Sequence, residues 1–199
     1  MAAANLPAAL QGPTLWYVNR STGMVLLVLL TTTLLLGLWS TRGEAGNRLP
    51  RFVVQSLHRN LGLVSVTMVT LHIGTAVLDE YVDIRWWQAF VPLQLHYKPL
   101  WLALGIVGFD LMLAVVLTSL VRARLGHRAW QAVHLSSYVV WAVAVAHGLG
   151  IGTDTATAWG RWLYVGCAAA VAASLVVRLV EPRRRARTAP RLSGSGVAA

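Results

Sequence analysis

Four of the six histidines stand inside long apolar runs: His58 and His72 in one, His134 and His147 in another. Ionisable side chains are rare in such surroundings and default to a functional reading when they occur together. The spacings are 14 and 13 residues, which at the helical rise separate two levels by roughly 20 Å. A neutral imidazole is a strong axial ligand for haem iron, and two per iron fill both axial positions, favouring electron transfer over ligand binding. Four such residues therefore suit two stacked macrocycles. Two other readings are a pathway for a divalent metal and plain core packing. A transported ion wants carboxylates or thiolates beside the imidazoles, and the apolar runs offer only Asp110 as an acid.

The elements that must position these residues follow from composition. Of 199 residues, 56% are hydrophobic and 12% charged, which is too apolar for a soluble domain of this size. Five stretches reach the roughly 20 residues needed to cross a bilayer: 21–40, 53–78, 99–121, 130–150 and 160–180. The expected fold is an all-α bundle of five transmembrane helices over 15–181. It is flanked by a short extracytoplasmic segment, 1–14, and a disordered Arg-rich tail, 182–199. The loops are too short for a further soluble domain, so nucleotide or flavin chemistry is expected from another polypeptide. The first apolar run is full length and has no basic residues ahead of it until Arg20, unlike a cleaved secretory leader. Cys167 is the only cysteine and reads as a packing residue.

A formal charge of +10 raises the possibility of nucleic acid, but the basic residues alternate by loop. Arg42, Arg48 and Arg51 follow the first run, Arg122, Arg124 and Arg128 the third, and Arg183, Arg184, Arg185, Arg187 and Arg191 the fifth. The positive-inside rule then places the amino terminus outside and the carboxyl terminus in the cytoplasm. Tryptophans and tyrosines gather at the ends of the runs, as they do at membrane interfaces, and only Trp141 lies mid-helix. Arg outnumbers Lys sixteen to one, a composition that points to a bacterium and hence to the plasma (inner) membrane.

With helices two and four running the same way, His58 pairs in depth with His134, and His72 with His147. Fourteen residues return to within roughly 40° of the same helix face, but thirteen leave His134 and His147 roughly 140° apart. Helix four must therefore overwind, bend, or meet its second partner from another side.

The segments LHRNLGLVSVTMVTLH, Leu57 to His72, and AVHLSSYVVWAVAVAHG, Ala132 to Gly148, resemble the ferric reductase-like transmembrane domain. That domain is the haem-binding core of NADPH oxidases, ferric reductases and the bacterial methionine sulfoxide reductase haem subunit. The resemblance covers essentially the whole membrane region. It implies two haem b groups, with His58 and His134 on the inner haem and His72 and His147 on the outer one, and the same 14 and 13 asymmetry. It also implies an Arg near the outer haem and acceptor site, a place that Arg20 in WYVNRSTG matches; the alternative for Arg20 is an interfacial anchor. The oxidases and eukaryotic reductases continue into a flavin and nicotinamide domain that this sequence does not contain.

Other candidates come in pairs of readings. Arg59, His127 and Arg128 at the inner end, and His96 and Lys98 at the outer, could hold haem propionates or be solvated flanks. Asp110 could bond a ligand histidine, carry protons, or simply be satisfied within the bundle. Trp141 could bridge the two histidine levels or pack against lipid. The run Gly148, Gly150, Gly152 follows a helix and so is not a nucleotide loop. The expected activity is oxidoreductase-type electron transfer from a cytoplasmic donor, flavoprotein or quinol, to an extracytoplasmic acceptor such as ferric iron, oxygen or a redox partner protein. The alternative is a non-catalytic haem subunit that anchors and wires a multi-protein reductase.

Overall fold

The computed structural model describes residues 13–40, 50–79, 84–92 and 97–188, of which 181–188 are described as backbone only. The described residues form helices and no strands: α1 (Pro13–Ser40), α2 (Arg51–Leu78), α3 (Pro99–Leu120), α4 (His127–Leu135), α5 (Ser137–Ile151) and α6 (Ala158–Thr188), with short 3₁₀ turns at Trp86–Ala89 and Thr153–Ala156. Because α4 and α5 form one apolar stretch from His127 to Ile151, five helices are long and apolar enough to cross a membrane. The chain is thus a multi-pass membrane protein.

The first helix begins at Pro13, eight residues before the run read from the sequence, and thereby carries Trp16, Asn19 and Arg20 into the bundle. Proline at the start of α3 fits because its missing N–H would be unpaired there anyway. The preceding Lys98 has a left-handed backbone, φ 40°, uncommon without glycine; its ammonium donates to the Gly150 carbonyl near the end of α5, 2.8 Å away. At the carboxyl end the helical backbone of α6 runs to Thr188, past the point where a disordered tail was expected to begin. The arginines there are good helix formers. Residues 189–199 and 1–12 lie outside the described residues.

The α1 helix packs along α2, and α3 along α5; α1 also touches α5 and α6. A central cluster of Leu26, Val69, Met112 and Val140 joins α1, α2, α3 and α5. A second cluster, Leu27, Tyr164 and Cys167, ties α6 to α1, which places Cys167 in the packing role expected of it. Many large apolar side chains stay exposed, among them Leu63, Leu117, Leu120 and Val176, as suits helices whose outer surfaces face lipid.

Polar contacts between distant segments also tie the bundle together. The Trp141 indole N–H donates to the buried Thr31 hydroxyl at 2.9 Å, and Arg20 pairs through two nitrogens with both carboxylate oxygens of Asp154. Asp154 is 1% exposed and Arg20 30%. Removing one member of such a pair strands a buried charge, whereas replacing both by apolar groups does not. Asp154→Ala is expected to destabilise the detergent-solubilised protein by about 3 kcal/mol, the low end of the range because Arg20 is partly solvated. Arg20→Met with Asp154→Leu should recover most of that loss. Thr31→Val should cost only about 1 kcal/mol, the scale of a single interhelical hydrogen bond in a membrane protein. Unfolding in mixed micelles measures all three, and equal losses in the single and double charge variants would show that the pair is not the cause.

Candidate functional site

The structure places His58 beside His134, ring centroids 6.0 Å apart and planes at 67°. His72 stands beside His147 at 6.4 Å and 89°. All four residues are half-buried. Helix α2 therefore runs in the same direction as the α4–α5 span. The awkward phase of the thirteen-residue spacing is met by an interruption at Ser136. Its N–H donates to the Val133 carbonyl at 3.0 Å, and the α-helical ladder resumes with Val140 to Ser136. A 3₁₀-type turn advances about 120° per residue instead of about 100°, which supplies part of the missing rotation.

Helix α2 packs chiefly on α1 and shares little close backbone packing with α4 or α5, so at each level two imidazoles face one another across a gap between helices. Two imidazole nitrogens on opposite sides of one metal ion, each at about 2.0 Å, put the ring centres about 6 Å apart, close to both observed separations. Among the described residues no group of three or more His, Cys, Asp or Glu could hold a metal ion. A pair of imidazoles is too few for a structural zinc, which takes four donors. It suits an iron whose equatorial positions belong to a porphyrin. The donor set and the gap thus fit haem at both levels.

What orients the rings is a device that occurs three times. The Nδ1–H of His72 donates to the Asn19 carbonyl at 3.0 Å, that of His58 to Thr33 at 2.9 Å, and that of His147 to Trp101 at 2.7 Å. Placing the proton on Nδ1 leaves Nε2 with its lone pair free for a metal. In each case the residue four further along the carbonyl's helix is glycine, and the ring lies over it. A Cβ added at Gly23 would stand 3.1 Å from His72 Cε1, one at Gly37 3.2 Å from His58 Cε1, and one at Gly105 2.6 Å from His147 Nδ1. The absent side chain is what lets the imidazole reach a carbonyl within an intact helix. On α1 the two glycines are 14 residues apart, matching the histidines of the antiparallel α2. The sequence alone carries that match, but only the antiparallel contact of α1 with α2 gives it meaning.

His134 differs. Its Nδ1 is buried and has no partner, and the ring is stacked on Trp130 at 4.8 Å and 24°. Trp130 in turn approaches His127, 5.8 Å between ring centres, and both line an open cavity with Arg122, Ala123 and Leu125.

The remaining candidates divide clearly. Arg20 reaches the His72 level but is engaged by Asp154 and lies against the Trp16 ring, 4.9 Å from its centroid. Asp154 is a site neighbour that the sequence reading passed over, because nothing local marks a carboxylate in a loop as the partner of an arginine 134 residues away. Lys98 is held by Gly150, and Trp141 by Thr31. Asp110 is half-buried on α3 and has no hydrogen bond to a histidine among the described residues. Arg59 and Arg128 are exposed, and His96 lies outside the described residues. The glycines after His147 allow tight packing: a side chain at Gly150 would overlap the Trp101 indole, and one at Gly148 the Tyr164 hydroxyl.

Among known proteins, the family described as ferric reductase like transmembrane component matches residues 22–145. No curated protein and no solved structure matches the chain. The matched stretch holds His58, His72 and His134 with all three glycine seats, and it stops two residues short of His147. Since that stretch is well over half of the 199 residues, the chain belongs to the ferric reductase-like transmembrane family.

Proposed function

We propose that this chain is a b-type di-haem cytochrome that moves electrons across the membrane. His58 and His134 hold the haem near the cytoplasmic face, and His72 and His147 hold the one near the outer face. Family membership supports transmembrane electron transfer in general. The observation that carries the finer reading is the two ring pairs, 6.0 and 6.4 Å between centroids, one at each level between the histidine helices.

Bound haem would supply a one-electron carrier at each level; the protein's part is to fix ligands, exclude water and set direction. Carbonyls of Asn19, Thr33 and Trp101 hold three ligands in the tautomer that presents Nε2. The apolar cluster of Leu26, Val69, Met112 and Val140 fills the bundle around its middle, keeping the surroundings low in dielectric. The amino terminus lies outside, as the basic loops require, so electrons enter from a cytoplasmic flavoprotein or quinol and leave to ferric iron, oxygen or an extracytoplasmic redox protein. With the inside negative, outward movement of one electron gains about 2.3 kcal/mol per 100 mV.

The purified wild type should show a reduced-minus-oxidised spectrum of b-type haem with two haems per chain. His58→Ala and His134→Ala should each remove the same single haem, and the double variant should lose no more than either alone. A protein without haem, or single variants that remove different haems, would refute the pairing.

The glycine seats give a graded test of the same site. Gly105→Ala must displace His147, and is expected to lower occupancy of the outer haem about tenfold or more. Gly23→Ala should have a smaller effect there, because its contact is only slightly too close. Gly62→Ala and Gly74→Ala, which meet nothing within 4 Å, should leave both haems in place. Haem titration of the four variants checks the order, and equal effects at Gly105 and Gly62 would show that the seats do not hold the ligands.

A further inference from the structure

Three imidazoles have a carbonyl partner and a glycine seat, and the fourth has neither. On α3 the seat of His147 is the Trp101 carbonyl with Gly105. The same device one 14-residue repeat further on, the interval seen on α1, falls on Val115 and Ser119. There the glycine is replaced by serine, whose hydroxyl donates to the Val115 carbonyl at 2.6 Å. Allowing instead for the 13-residue histidine spacing gives Ala114 and Thr118, and the Thr118 hydroxyl donates to the Ala114 carbonyl at 2.7 Å. In either register a side chain stands on the carbonyl that His134 would use. The ring rests instead on Trp130, whose indole N–H makes a long 3.4 Å bond to the Ser119 hydroxyl. Among the described residues, the buried side-chain polar atoms left without a partner are His134 Nδ1 and Thr33 Oγ1, and both belong to this level: Thr33 is the residue whose carbonyl holds His58.

We infer that His134 is a displaceable ligand, so that the His58–His134 centre admits a small exogenous ligand while the His72–His147 centre stays closed. The inference rests on the di-haem reading. A ligand ring fixed by a second hydrogen bond cannot swing away without breaking it, and outer partners of this kind typically govern metal affinity by 10- to 100-fold. His58, His72 and His147 are fixed in this way; His134 can turn about its side-chain torsions at the cost of a stacking contact alone. In the exchange the bond from His134 Nε2 to iron breaks, and a bond from the incoming neutral ligand's lone pair replaces it. The imidazole keeps its own lone pair, and no proton or electron is transferred. The level therefore combines the function of an electron carrier with that of a gas-binding site.

Carbon monoxide added to the dithionite-reduced, haem-loaded protein tests this, with haem per chain counted first. The wild type should hold two haems and bind carbon monoxide at one, converting half of the Soret band. Ser119→Gly, which rebuilds the missing seat, should slow that binding about tenfold, and Ser119→Thr, which keeps the hydroxyl, should match the wild type. Gly105→Ser, which copies the obstructed arrangement to the other level, should lower outer-haem occupancy as Gly105→Ala does and make the outer haem that it retains reactive with carbon monoxide. If that variant fails to fold, the two Ser119 variants decide alone. Two haems with carbon monoxide bound at neither or at both, or a Ser119→Gly protein that reacts like the wild type, overturns the inference and leaves the di-haem reading intact. Fewer than two haems sinks that reading, and the inference with it.

Discussion

The arrangement depends on an imidazole N–H reaching a carbonyl that already belongs to an unbroken helix. Such carbonyls are normally screened by the side chain four residues on, which leans back over the preceding turn. Glycine at that position removes the screen. Where Gly23, Gly37 and Gly105 provide the opening, the ring is fixed in tautomer and direction together, at 3.0, 2.9 and 2.7 Å from its acceptor. A histidine without this contact, as His134 is, retains the choice of rotamer and of which nitrogen carries the proton.

This constraint explains why the bundle is organised as helix pairs. Each histidine helix lies against a helix that supplies seats: α1 against α2, and α3 against α5. Between the two histidine helices the opposed rings span the gap at each level, and Val69 and Val140 belong to the shared central cluster. Contacts elsewhere keep that gap at a fixed width. Trp141 to Thr31 ties α5 to α1 in the middle of the bundle, and Arg20 to Asp154 ties α1 to the loop before α6 near the His72 level. Asn19 couples the two functions, since its side chain donates to the His72 backbone carbonyl at 2.7 Å while its own carbonyl accepts from the His72 ring.

Much of this was legible in the sequence because membrane helices obey strong one-dimensional rules. Runs of apolar residues located all five spans to within a few residues at most ends, and intramembrane histidines stand out against such a background. The start of α1 was placed too late because Asn19, Arg20, Ser21 and Thr22 depress hydropathy locally; in three dimensions His72 and Thr75 accept from Asn19, Asp154 pairs with Arg20, and Ser21 is exposed. The partners of Arg20, Lys98 and Trp141 were out of reach for a different reason. Each is a tertiary contact between residues 52 to 134 positions apart, and no periodicity encodes it. The seats were intermediate: the 14-residue interval between Gly23 and Gly37 repeats that between His58 and His72, but it gains meaning only once α1 and α2 are known to be antiparallel neighbours.

The 13-residue interval on the fourth span is where the two pairs of helices part company. Helices α1 and α2 keep equal intervals, so both of their histidines meet a glycine in one register. The α4–α5 span loses one residue and compensates with the tight turn at Ser136. That turn can redirect a ring, but it cannot also preserve alignment with a straight neighbour: if His147 is in register with Gly105, then His134 falls between Thr118 and Ser119. Both carry hydroxyls that fold back onto their own helix. The same local adjustment that lets His134 face His58 therefore takes it out of step with α3. A bundle with two equivalent levels would need a glycine in register with His134, at the place where Thr118 and Ser119 stand.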